Sequence, residues 1–239
     1  MPQLTEIIEN LEQEKGQELK QTLSIDGREA YVLNGESMAD LFQQCLERNI
    51  EMITMPQIAK ARVDADLNSE QGRLLWKYNW MTQSALSRLY TGTEDDLAAF
   101  TIGNIFPNEQ KRISAYQRNL VSGGIPLNEG EFPIIWEGIG IKYTTISNSP
   151  RGVIPITGFL SHPVVLGAFG NNEQLVKDYA AKYVEVMKKS PFTPLEIGVW
   201  FSKDDAPNTM RPLEIGDSGI GIYNRSLYNK GYRTIGLKK

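Results

Sequence analysis

The feature that most limits how this chain can fold is a change of texture at Ser122-Gly123-Gly124. Before it, apolar residues recur mainly at spacings of three and four. After it, β-branched and aromatic residues come in short runs cut by Gly and Pro, as in "FPIIWEGIGIKYTTISNSPRGVIPITGFLSHPVVLGAFGN". The first pattern predicts helices and the second predicts strands. The expected fold is α+β: a helical N-terminal half followed by a mainly antiparallel sheet with at least one covering helix. The glycine pair divides a mainly helical region, 1–124, from a β-rich region, 125–239. The two either pack as a single compact domain or stand apart.

Individual elements follow from local chemistry. Leu4, Ile7, Ile8 and Leu11 share one helical face. Asp26-Gly27, between two alternating runs, predicts a two-residue hairpin. Ser37 with Asp40 caps a helix whose buried stripe is Met38, Leu41, Phe42, Cys45 and Leu46. "IEMITMP" reads as a short strand ended by Pro56. The longest helical reading spans 69–92, capped by Ser69 and closed by Gly92, with Leu75, Tyr78, Met81, Ala85, Leu86 and Leu89 inward. Thr93 with Asp96 opens another helix through Leu97, Ala98 and Phe100, and 108–120 forms a further one. In the second region, 172–189 is the clearest amphipathic helix. Asn172 is its cap, and Lys188-Lys189 complements its dipole.

Few residues in the chain suit catalysis. Cys45 is the only cysteine and His162 the only histidine, so an internal disulfide and a thiolate metal cluster are excluded, and a metal site would have to rest on oxygen ligands. Cys45, at helical spacing with apolar neighbours, reads as a core thiol. His162, before Pro163, reads as a turn residue. Adjacent Ser161 is no partner for it, because neighbouring side chains on a strand point to opposite faces. Carboxylates pair in sequence at Asp64 with Asp66, Asp95-Asp96, Glu129 with Glu131, and Asp204-Asp205. Glu196, Lys203, Asp204 and Asp205 form the one set that suits a Mg²⁺-dependent nuclease. Trp76 and Trp80, one helical turn apart, border the long helix's stripe and form an interface if exposed.

The chain closes on "SGIGIYNRSLYNKGYRTIGLKK". No P-loop lysine-serine/threonine pair is present, and too few residues follow Gly236 for a helix to offer its N-terminus to a phosphate. The stretch reads instead as paired strands, "IGIY" and "YRTIGL", with an edge available to another chain's sheet. Charge is uneven. Residues 1–124 carry 18 Asp/Glu against 12 Lys/Arg, whereas from Arg211 onward there are six bases and two acids. Opposite potentials at the two ends favour head-to-tail contact between copies.

These features describe a non-enzymatic structural or assembly protein, similar in character to a phage virion or tail component. It is expected to self-associate or to dock in a larger complex. The expected interface residues are Arg211, Tyr223, Arg225, Tyr228, Lys230, Tyr232 and Arg233, with Trp76 and Trp80. The alternative is the Mg²⁺-dependent nuclease, or a nucleic-acid binder that uses the basic tail. No cofactor or metal is expected, and the partners are other copies or other proteins. No apolar run approaches the roughly 18 residues that a membrane helix requires. The acidic N-terminus lacks the features of a signal peptide, so a cytoplasmic or virion location is expected.

Overall fold

The computed structural model describes residues 23–90, 96–103, 106, 108–119, 121, 124–128, 131, 139–187, 196–201, 206–217, 219–222 and 231–239. Along the chain these form β1 (Leu23–Ile25), β2 (Arg28–Gly35), α1 (Met38–Glu47), β3 (Ile50–Met52), α2 (Met55–Asp64) and α3 (Glu70–Lys77). Next come β4 (Trp80–Leu89), β5 (Leu97–Thr101), α4 (Glu109–Tyr116), β6 (Ile125–Pro126), β7 (Ile139–Lys142) and α5 (Tyr143–Asn148). The rest are β8 (Gly152–Pro155), α6 (Ile156–Leu160), α7 (Pro163–Ala168), α8 (Glu173–Met187), β9 (Glu196–Trp200), β10 (Thr209–Ile215), β11 (Gly219–Ile222) and β12 (Tyr232–Lys238). The helical stretch expected near residue 7 lies outside the described residues.

Two sheets organise the fold. The smaller has the order β1-β2-β12-β3, and the larger runs β7-β5-β4-β10-β11-β9-β8 with β6 paired to β10. The Asp26-Gly27 hairpin is present: both residues have positive φ, 50° and 75°, as a type I′ turn requires. β12 sits between β2 and β3, antiparallel to both, from Tyr232↔Gly35 to Lys238↔Ile50. The last strand of the chain is thus locked to the first hairpin. Ile53 joins the two sheets, donating its N–H to Ile235 O at 2.8 Å and accepting from Gln83 N at 3.0 Å. Thr234 Oγ1 adds a bond to Met81 O.

The expected helical half followed by a sheet is not what forms. The protein is mostly β, with helices interspersed throughout, and each sheet takes strands from both sides of Ser122-Gly123-Gly124. The largest single correction concerns 69–92. Ser69 does cap a helix, accepting from Gly72 N, but that helix stops at Lys77 and Trp80 opens a ten-residue strand. Nearly every residue of β4 is buried. Trp80 and Leu86 enter one hydrophobic cluster, while Met81, Ala85 and Leu89 enter another. A strand covered on both faces loses its alternation, so small and apolar residues mimic a helical stripe. Likewise Leu97, Ala98 and Phe100 belong to β5, not to a helix.

The glycine-rich end also pairs differently. β11 joins β10 and β9 in the large sheet, whereas β12 belongs to the small one. The two are not a hairpin, and β12 is no free edge. The expected caps agree with the structure: Ser37 caps α1 and Asn172 Oδ1 accepts from Leu175 N. Leu46, expected in the buried stripe of α1, is instead exposed at the helix end. Unforeseen in the sequence are the Asn108 cap of α4 and a Thr54–Gln57 capping box around Pro56.

The first cluster packs α2, α3, α6, α7 and α8 with strands of both sheets, among them β1, β2 and β12 of the small one. The second packs α1 and α4 between the sheets. Arg62 is wholly buried in the first. Its guanidinium donates to the carbonyls of Leu75, Tyr78, Ile215 and Gly216 and to Tyr179 Oη, and it lies 4.9 Å from the Trp76 ring. One side chain thereby ties α2 to the start of β4 and to the turn before β11.

Candidate functional site

At the β8–β9 end of the large sheet, Val153, Pro155 and Trp200 are left exposed. On β9, Ile197 and Val199 point into the core, whereas Glu196 and Trp200 face solvent. The antiparallel neighbour β8 behaves in the same way: Ile154 is buried and Val153 and Pro155 are exposed. Val153 stands opposite Gly198, and Pro155 opposite Glu196. Trp200 is 50% exposed and Val153 59% exposed. Arg151, just before β8, is exposed beside them, and Glu214 on β10 is half-buried.

Glycines make this surface possible. Gly152 has φ 97°, a conformation that L side chains rarely adopt, and a Cβ there would stand 3.7 Å from the Trp200 ring. The indole lies over a position that only glycine fills comfortably. Gly219 has φ 143°, and a Cβ on it would meet Gly198 O at 2.1 Å. β9 and β11, the parallel pair in register at Gly219↔Gly198, approach closely because neither residue carries a side chain there.

The residues singled out from the sequence fall elsewhere. Arg211 is 2% exposed on β10, opposite Leu86 of β4, and Tyr232 is 4% exposed. Both belong to strands with partners on either side, so neither forms an outer contact surface. Trp76 and Trp80 are buried as well: Trp76 Nε1 donates to Arg62 O, Trp80 Nε1 donates to Leu75 O, and Trp76 stacks on Tyr179. They are core anchors, not an exposed pair. Arg233 is half-buried, with its guanidinium over the Tyr78 ring. Tyr223, Arg225, Tyr228 and Lys230 lie outside the described residues.

Of the nuclease set, Glu196 is exposed on β9, and Lys203, Asp204 and Asp205 lie outside the described residues. Several other acids have cationic partners. Asp64 pairs with Lys60, and Asp96 pairs with Arg88. Glu131 forms a two-bond pair with Arg118 at 2.6 and 2.8 Å. Burial alone would raise the Glu131 carboxyl, but Arg118 and the Asn128 N–H outweigh it and hold it below its ordinary value. Among the described residues, no group of three or more His, Cys, Asp or Glu is placed to hold a metal.

Cys45 and His162 occupy the structural places expected of them. Burial pushes the Cys45 thiol up to about 12, which leaves it inert. His162 Nδ1 accepts from Val164 N at the start of α7, and Nε2 is 2.7 Å from Pro150 O. Those contacts assign the Nε2–H tautomer. Burial lowers the imidazole pKa, and the Pro150 carbonyl only partly opposes it. Among the described residues, no helix is long and apolar enough to cross a membrane.

No protein-family model matches this chain, and no curated protein matches it. A solved structure described as "Accommodation of massive sequence variation in Nanoarchaeota by the C-type lectin fold" is similar over 90% of this chain and 100% of that chain. The TM-score is 0.74 and the identity 19%. At that identity the likeness concerns architecture alone: the chain adopts the C-type lectin fold.

Proposed function

We propose that this is a non-enzymatic recognition protein that docks a partner protein through the exposed face of β8 and β9. The observation that carries the proposal is Trp200, half exposed beside Val153 on a sheet whose other apolar side chains, among the described residues, are largely covered. Aromatic anchors with an apolar neighbour and a charged rim are the usual anatomy of a protein interface. Here Arg151 and Glu196 supply charges of both signs at the rim. The similar structure adds support, since its description concerns a fold that accommodates massive sequence variation. A frame closed by β12 between β2 and β3 leaves a sheet end whose outward side chains are free to serve recognition.

The reading is tested by placing a photo-crosslinking amino acid at 153 or 200, with control positions at Leu46 and Tyr90, both exposed and both outside this face. One protein should cross-link from 153 and 200 and not from the controls. Once purified, it should bind the native chain at least about tenfold more tightly than Trp200→Ala. If the cross-linked species is another copy of the chain, the face serves self-association instead. Equal cross-linking from all four positions would overturn the proposal.

A further inference from the structure

We propose that Lys77 and Arg233 form a second binding site, for a phosphate group, built on the ring of Tyr78. Lys77 ends α3 and Arg233 is the second residue of β12, so 156 positions separate them in sequence. Both reach the Tyr78 ring because α3 leads straight into β4 and β12 lies along β4 at the junction of the sheets. Arg233 Cζ is 3.7 Å from the Tyr78 ring centroid, and Lys77 Nζ is 5.0 Å from it. Arg233 Nε donates to Asn34 Oδ1 at 2.9 Å. The guanidinium is thus fixed on one face by the ring and on one edge by the amide.

This cation pair differs from the other well-placed cations. Arg62 is satisfied by carbonyls, Arg88 is paired with Asp96, Arg112 with Glu109, and Arg118 with Glu131. Among the described residues, neither Lys77 nor Arg233 is in an ion pair, and the two Nη groups of Arg233 have no acceptor. Lys77 is exposed, and Tyr78 and Arg233 are half-buried, so an anion can reach them. Two cations held near one ring repel each other, and the ring quadrupole offsets only part of that repulsion. A phosphate group carries about −1.5 to −2 at neutral pH, enough to neutralise both. Its oxygens also fit the free edge of a guanidinium by two parallel bonds, with the ammonium as a point charge beside them. A carboxylate would fill the fork but leave Lys77 uncompensated.

The site is independent of the Trp200 face, and the experiment keeps the two apart. The Arg233 Nε–Hε resonance of the full chain is followed by NMR as inorganic phosphate is added at constant ionic strength. Phosphoserine in a second arm distinguishes free phosphate from a phosphate ester. A saturating shift is expected in at least one arm, weakened about fivefold or more by Lys77→Met and by Arg233→Gln. Arg233→Lys should bind between the native chain and Arg233→Gln, and Trp200→Ala should bind as the native chain does. Lys77→Met, which alters an exposed side chain, keeps the test valid if Arg233→Gln fails to fold. A non-saturating shift in both arms, or equal affinity in the native chain and Lys77→Met, would overturn the site.

Discussion

Trp80 and Trp200 stand on two strands of one sheet and meet opposite environments. Trp80 opens β4, in the middle of the sheet, where helices and the second sheet cover both faces. Trp200 ends β9, next to the edge strand β8, and half of it remains in contact with water. The difference lies in what covers each strand, not in strand propensity. A central strand contributes to stability on both faces. A strand near the edge contributes on one face, and its other face is available for binding.

Replacement of the two tryptophans is the strongest test of that contrast. Trp80→Ala should cost about 3–5 kcal/mol, read from the shift in urea midpoint, because it empties a fully buried site and removes one of the two side-chain donors to the Leu75 carbonyl. Arg62→Met should follow at about 3 kcal/mol, since it takes a buried donor from the carbonyls of Tyr78, Ile215 and Gly216 and leaves Leu75 O with Trp80 Nε1 alone. Gly219→Ala should cost about 1–3 kcal/mol, because a Cβ there meets Gly198 O in a strained backbone region. That variant sharpens the comparison: it should disturb Trp200 while leaving Trp80 unchanged, seen in their separate indole N–H signals.

A smaller effect concerns pH. The folded imidazole of His162 has a pKa below its ordinary 6.5, so the unfolded chain binds the extra proton more readily. The stability it contributes is fully present above about 6.5 and is lost as pH falls toward the folded value. Protonation at Nδ1 would remove the acceptor that holds Val164 N, and Phe201 packs edgewise on the ring. Urea midpoints at pH 7.5 and 5.5 should diverge more for the native chain than for His162→Gln. The least expected effect on stability is from Trp200→Ala, within about 0.5 kcal/mol, even as it weakens docking at least about tenfold.

Local chemistry made much of the chain legible from sequence alone. Asp26-Gly27, Ser37 and Asn172 each act within a few residues, and each produced the turn or cap that its chemistry predicts. What failed was long-range. The stripe through Met81, Ala85 and Leu89 resembles a helix because β4 is buried on both sides, which only the assembled fold imposes. Nothing local told β11 and β12 to join different sheets. Trp200 was within reach: Ile197 and Val199 alternate inward in "LEIGVW", and that period sends residue 200 outward. The signal was diluted by the more conspicuous basic and glycine-rich stretch that follows.

The central claim is that the Trp200 face is open in the free protein and closed by a partner. ¹⁹F NMR of the chain labelled with 5-fluorotryptophan tests it, with Trp200→Phe and Trp80→Phe assigning the two signals. The account predicts a solvent-sensitive Trp200 signal that shifts when the cross-linked partner, purified, is added, while the Trp80 signal stays in place. A Trp200 signal that is already shielded from solvent, or that does not move as the complex forms, would contradict it.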